Sequence, residues 1–189
     1  MILIDNKYII AEGEDISLRT LNQRDAIGRW WEWFNDKEVT RYMNKGHEEN
    51  TPQKQLDFLK KMELSSKDCV LGIFYNKNNK HIGTTAIHNM RNELDTKKGN
   101  FGIIIGEKLF WGKGIGAQAW QMMIKYAFNE LGLDVIETMI FSSNEASLKV
   151  AKKIGFEHIE IKINDLKKDG KMIDRIVFRL EKDHWKKNG

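Results

Sequence analysis

The chain predicts a mixed α/β fold, a mostly antiparallel twisted sheet of about seven strands flanked by helices, on three observations. The first third has helical, aromatic-rich periodicity. The middle alternates short apolar runs with turn residues. Two long amphipathic stretches, each stopped by glycine, separate further β-rich runs. With 189 residues, 41% of them hydrophobic and 31% charged, the chain reads as one soluble domain over residues 1–189 with a sizeable core.

Element by element, Lys7 to Ala11 and Ile16 to Leu21 read as paired strands around the turn-prone Glu12-Gly13-Glu14-Asp15. Asn22-Gln23-Arg24-Asp25 opens a helix that carries Trp30, Trp31, Trp33 and Phe34. A short helix is expected after Asp36, with Val39, Tyr42 and Met43, and another after Asn50, where Thr51 caps and Pro52 occupies the first turn. Cys69 to Tyr75 and Ile82 to His88 form a hairpin around Asn76 to Lys80, and Asn89 to Gly99 reads as a looser polar stretch before the strand Phe101 to Gly106. An amphipathic helix then runs from Ile115 to Gly132. Val135 to Phe141 is a strand, Ser142-Ser143-Asn144 a cap, and Glu145 to Ile154 a helix stopped by Gly155. Phe156 to Ile163 and Met172 to Leu180 close the chain as strands.

Composition excludes several classes. The net charge of +4 is spread along the chain, which fits a solvated surface better than a nucleic-acid footprint. No apolar run is long enough to span a bilayer, and no basic segment precedes an apolar one near Met1, so a cytoplasmic protein is expected. The lone Cys69 lies in the apolar run CVLGIFY and reads as a core thiol. His47, His81, His158 and His184 lack metal-ligand spacing, so no metal is implied.

The chemistry-bearing segment is Trp111-Gly112-Lys113-Gly114-Ile115-Gly116-Ala117, between a strand and a helix. Glycines at alternate positions let consecutive amides converge into an anion-binding nest, the helix start adds partial positive charge, and Lys113 adds a full one. The spacing matches neither the dinucleotide fingerprint nor a P-loop. The alternative reading is a turn that binds nothing.

The stretch Gly102 to Ala117, followed by Asn144-Glu-Ala-Ser147-Leu-Lys-Val-Ala151-Lys-Lys-Ile-Gly155-Phe156, resembles the GNAT superfamily of acyl-CoA-dependent N-acyltransferases over Ile16 to about Leu180. Arg19-Thr-Leu and Trp33 to Met43 are similar to the branch that includes ribosomal-protein N-terminal and nucleotide-linked amino-sugar acetyltransferases. The resemblance implies a bacterial, dimer-prone enzyme with acetyl-CoA as co-substrate, and a splayed central strand pair that receives the pantetheine arm. Ile103, Ile104 and Ile105 would line that arm, Trp111 to Ala117 the pyrophosphate, and Asn144 and Ser147 the second motif.

The match has gaps. Trp111 stands where the family usually has Gln or Arg, and its tyrosine and glutamate acid/base positions fall at Ala151 and Asn100. The nominated substitutes are His88 as base, Tyr42 as acid or acceptor-site donor, and Asn144 as orienting group. Trp30 and Trp33, with Tyr42 and His88, are expected to wall an acceptor pocket suited to a sugar ring, while Glu107 is expected to face water. Candidate acceptors are a nucleotide-linked amino sugar and a protein or peptide N-terminus. The rival classes are a non-catalytic CoA-binding module and a nucleic-acid binder.

Overall fold

The N-terminal apolar segments pair antiparallel as β1 (Ile2–Ile4), β2 (Lys7–Glu12) and β3 (Ile16–Arg19), in a computed structural model that describes residues 2–4, 7–44 and 48–188. His47 lies outside the described residues. All of β3 is buried, and its polar members satisfy each other, Arg19 Nε donating to Ser17 Oγ at 2.7 Å.

Asn22 forms a capping box with Asp25 and starts the helix where expected. The helix does not run on unbroken. After α1 (Gln23–Asp25) comes a π turn, Ala26–Trp30, in which Gly28 leaves helical geometry at ψ −144°, and then α2 (Trp31–Trp33). The short helix expected after Asp36 does not form. Asp36 caps the segment as a helix start does, its Oδ1 accepting from the Glu38 and Val39 amides and its carbonyl from the Thr40 amide, but the turn does not propagate: the Met43 amide bonds back only to Thr40, and the Thr40 and Met43 carbonyls accept from Lys168. Thr51 caps α3 (Pro52–Glu63) as expected.

β4 (Cys69–Tyr75), β5 (Lys80–Glu93) and β6 (Thr96–Ile105) are antiparallel neighbours. The polar stretch Asn89 to Gly99 is strand rather than loop. Leu94 and Asp95 both take positive φ, 46° and 61°, which closes a tight hairpin with the twist of a primed turn. After α4 (Ile115–Asn129) come β7 (Val135–Phe141), α5 (Glu145–Ile154), β8 (Glu157–Lys168), β9 (Lys171–Glu181) and α6 (Lys182–Asn188). Among the described residues the sheet has nine strands in the order β1-β2-β3-β4-β5-β6-β7-β9-β8, where the sequence predicts about seven. No helix among the described residues is long and apolar enough to cross a membrane.

Two cores hold the molecule. Ile115, Trp120, Met123 and Phe128 of α4 pack with β3 to β7, with Phe101 stacked on Trp120 at 4.6 Å between ring centroids. Leu21, Trp30, Trp33, Leu59 and Phe74 form the second, beneath the N-terminal helices. Among the described residues the one parallel pair is β6 and β7, and it is joined only from Lys98↔Val135 to Asn100↔Glu137. Beyond those rungs the strands part, which creates the functional cleft.

Candidate active site

Strand alternation decides which groups face the cleft. The Asp134 amide donates to the Lys97 carbonyl and the Thr138 hydroxyl to the Phe101 carbonyl, so odd-numbered residues of β6 turn their main-chain groups toward β7. Past the last rung, the Ile105 carbonyl accepts from Trp111 Nε1 at 2.8 Å. The amide and carbonyl of Ile103 and the amide of Ile105 are left facing the opening. Ile104 departs from the expectation: its backbone lies opposite Thr84 of β5, on the closed side of the strand.

At the open end of β6, Gly112 and Gly114 take φ of 72° and 79°, conformations that disfavour any β-carbon, and nothing lies within 4 Å of where one would project. Among the described residues, the amides of residues 112–117 have no backbone or side-chain acceptor. Ile115 is buried, whereas Gly112, Lys113 and Gly114 are exposed. The loop and the first turn of α4 therefore present a row of free donors with room for an anion, and they fit a diphosphate.

A roof crosses the mouth of the cleft. Tyr42 Oη donates to the Ser143 carbonyl at 3.1 Å, and its ring meets Phe141 edge-on. The Arg41 guanidinium lies over the rings of Tyr42 and Trp111. Buried Lys168, reaching from the end of β8, donates from Nζ to the carbonyls of Thr40 and Met43, each at 2.7 Å. Burial pushes its ammonium below the ordinary lysine value, against the pull of Asp169. Asn144 caps α5, its Oδ1 accepting from the Ser147 amide at 3.2 Å. Ala151, at the family's tyrosine position, is buried in the core.

At the apex of the cleft stands His88, opposite Asn100. Its Nδ1 meets Asp68 Oδ1 at 2.9 Å, and its Cδ2 edge faces Gly102, where the missing β-carbon leaves space toward β6. Burial works to raise the Asp68 carboxyl, but Ser65, His88 and the Asn89 amide together hold it below the ordinary aspartate value. The carboxylate selects the tautomer of the neutral ring: donation of Nδ1–H to Asp68 leaves the lone pair on Nε2. Asp68 escapes a sequence reading because nothing in Ser65-Ser-Lys-Asp68 marks it until β4 and β5 pair. His88 and Tyr42 are not brought together, since their rungs on β7, Glu137 and Phe141, lie four residues or about 13 Å apart along the strand.

Trp30 is turned into the core, and Trp33 gives only an edge to a groove beside Glu107, away from His88. They are 1% and 2% exposed, and Trp33 lies against Gly106 so closely that a β-carbon there would overlap its ring. Glu107 is likewise buried rather than facing water. Its carboxylate takes Trp33 Nε1 at 3.2 Å, Lys80 Nζ at 2.5 Å and Arg29 Nε at 2.7 Å. Burial works to raise it, yet these donors hold it below the ordinary glutamate value. A groove of about 640 Å³ beside it, lined by Arg29, Asp36, Lys80 and Lys108 among others, lies at the C-terminal end of β6, ~20 Å along the strand from Asn100. That distance separates it from the His88 end of the cleft.

Comparison with known proteins agrees with this geometry. An uncharacterized N-acetyltransferase, p20 of Bacillus licheniformis, is 27% identical over 178 residues, covering 91% of this chain and 96% of its own. The spermidine N-acetyltransferase of Vibrio cholerae, solved with CoA and spermine, superposes with a TM-score of 0.82 at 16% identity, over 92% of this chain and 99% of its own. The ribosomal-protein-S5-alanine acetyltransferase of Vibrio fischeri does so with a TM-score of 0.75 at 24% identity, over 96% and 99%. The acetyltransferase (GNAT) domain model matches residues 15–157, a span that holds the cleft, the glycine loop and the His88–Asp68 pair, and the chain belongs to that family of N-acetyltransferases.

Proposed function

We propose that the chain moves an acetyl group from acetyl-CoA to a primary amine by direct attack on the thioester, with His88 Nε2 as the base. The observation that carries this reading is the conjunction of an open strand pair, with Ile103 main-chain groups facing into it, and a carboxylate-oriented imidazole at its apex. The amides of residues 112–117 seat the diphosphate, and Ile103 pairs with the pantetheine chain as a neighbouring strand does. Acetyl-CoA supplies the activated acyl group.

The protein supplies position and proton traffic. An ammonium cannot attack, so His88 accepts its proton, directly or through a water, while Asp68 steadies the imidazolium that forms. The Ile103 or Ile105 amide supplies a donor for charge developing on the acetyl oxygen. Tyr42, held at Ser143 and set apart from His88, keeps to the roof, so the proton that His88 takes from the amine is the one returned to the leaving thiolate, while Asn144 orients the group from the α5 end.

The acceptor we propose is a small or terminal primary amine that fits beneath the Tyr42–Lys168 roof. With Trp30 and Trp33 turned into the core, a nucleotide-linked amino sugar loses the aromatic wall that favoured it over a peptide N-terminus. The fold leaves that choice open, because neighbours of this shape carry polyamine and protein acetyltransferase names alike. Thiol release from acetyl-CoA across amino-sugar nucleotides, N-terminal peptides and polyamines tests the proposal. Cys69, its thiol pushed up to about 11 by burial, should add little background at neutral pH. His88→Ala should lower kcat by roughly 10²- to 10⁴-fold with CoA affinity unchanged. CoA binding without turnover on any amine would favour a CoA-sensing module.

A further inference from the structure

The free amides of residues 112–117 offer only partial charges, so a diphosphate seated there calls for a full positive charge beside them. Among the described residues, two cations stand against the rings that flank the loop. Lys113 belongs to it, with Nζ 6.0 Å from the Phe110 ring centroid, and Arg41 comes from the roof, its guanidinium carbon 5.3 Å from the Trp111 ring centroid. Resting on the CoA reading above, we propose that Arg41 is the side chain that pairs with the diphosphate of the co-substrate.

Four features support the assignment. Trp111 directly precedes the first free amide, and its indole is fixed by the bond from Nε1 to the Ile105 carbonyl, so it offers Arg41 a stationary platform at the edge of the nest. The segment that carries Arg41 is itself anchored on both flanks, by Lys168 at Thr40 and Met43 and by Tyr42 at Ser143. Apart from its stacking on Tyr42 and Trp111, which leaves the N–H edges open, the guanidinium has a weak tie to Glu38, an ion pair of 3.9 Å between side chains about half exposed and of small worth. A guanidinium can also stack on a ring while its in-plane N–H fork pairs bidentately with phosphate oxygens, which an ammonium cannot do. The competing account makes Arg41 a solvated partner of Glu38 with no part in binding.

The test compares CoA, 3′-dephospho-CoA and S-acetylpantetheine, the last lacking the diphosphate. Arg41→Ala should raise the calorimetric Kd for both CoA and 3′-dephospho-CoA roughly tenfold or more, the worth of a charge-assisted hydrogen bond, with Arg41→Lys recovering part of the loss. The loss should not extend to turnover of S-acetylpantetheine. An unchanged Kd for CoA overturns the proposal, as does an equal loss on S-acetylpantetheine, which would mean that the roof had collapsed. A loss on CoA but not on 3′-dephospho-CoA moves Arg41 to the 3′-phosphate and equally overturns it. If the wild-type chain binds no CoA, the co-substrate reading itself fails, independently of Arg41.

Discussion

A histidine near a cleft works as a base only if the right nitrogen carries the lone pair, and here that depends on Asp68. Because the Asp68 carboxyl is held below the ordinary aspartate value, it stays ionised wherever an imidazole titrates. Asp68→Asn replaces the acceptor with a group that can also donate, so kcat should fall on the order of tenfold or more across pH 6–9 while CoA affinity holds. A drop in melting temperature with normal kcat would make Asp68 merely structural. Glu107 carries a different expectation. Its folded pKa is depressed, so it binds fewer protons folded than unfolded, and it contributes stability above its unfolded value near 4.5 that is lost as pH falls through the folded value. Glu107→Gln should cost about 1–3 kcal/mol at neutral pH, with the gap to wild type closing below about pH 4.5, measured by denaturant unfolding. The sequence shows neither role. Glu107 meets Trp33 across 74 residues, and a tryptophan in an amphipathic helix reads alike whether it lines a pocket or fills a core.

Elements are legible where local chemistry and tertiary packing agree. The glycine loop could be placed from its residues because positive φ and a bare backbone are what the glycines themselves provide. The two loop glycines differ, however, in what they can tolerate. At Gly116 a β-carbon would stand 3.8 Å from Ile105 Cγ1, an ordinary contact, whereas Gly114 holds φ at 79°. Gly116→Ala should therefore fold normally. Gly114→Asp should abolish CoA binding, through backbone strain of about 1 kcal/mol and a carboxylate set among donors meant for an anion. CoA affinity unchanged in Gly114→Asp would remove the nest from the site. Elements were missed where the sequence offered no such agreement. The outer β5–β6 hairpin is polar on both faces and turns through Leu94-Asp95 without a glycine, so neither apolar alternation nor a turn signature announces it. After Asp36 both the helical spacing and the cap are present, and the departure comes from far along the chain, where Lys168 takes the Thr40 and Met43 carbonyls.

At the scale of the whole molecule, the site is assembled by ties between distant parts of the chain, and the longest is Lys168 to the Thr40 and Met43 carbonyls. It joins the β8–β9 hairpin to the segment that holds Arg41 and Tyr42. Burial lowers the Lys168 pKa, so below the ordinary lysine value of 10.5 its ammonium is held at a cost, and its contribution to stability improves as pH rises toward that value. Such a charge is a poor source of global stability and a good one of local order. Replacing it with a methionine of similar reach removes the desolvation cost and the two hydrogen bonds together. Lys168→Met should therefore leave the melting temperature near that of the wild type. Hydrogen exchange at the Thr40 and Met43 amides, which are bonded to the Asp36 and Thr40 carbonyls, should quicken about tenfold or more, as their segment opens without the rest of the fold. If the roof also confines the acceptor, KM for the amine should rise more than kcat falls. Unchanged exchange in Lys168→Met would show that Tyr42 and its neighbours hold the segment without the lysine, and that the distant hairpin has no hold on the cleft.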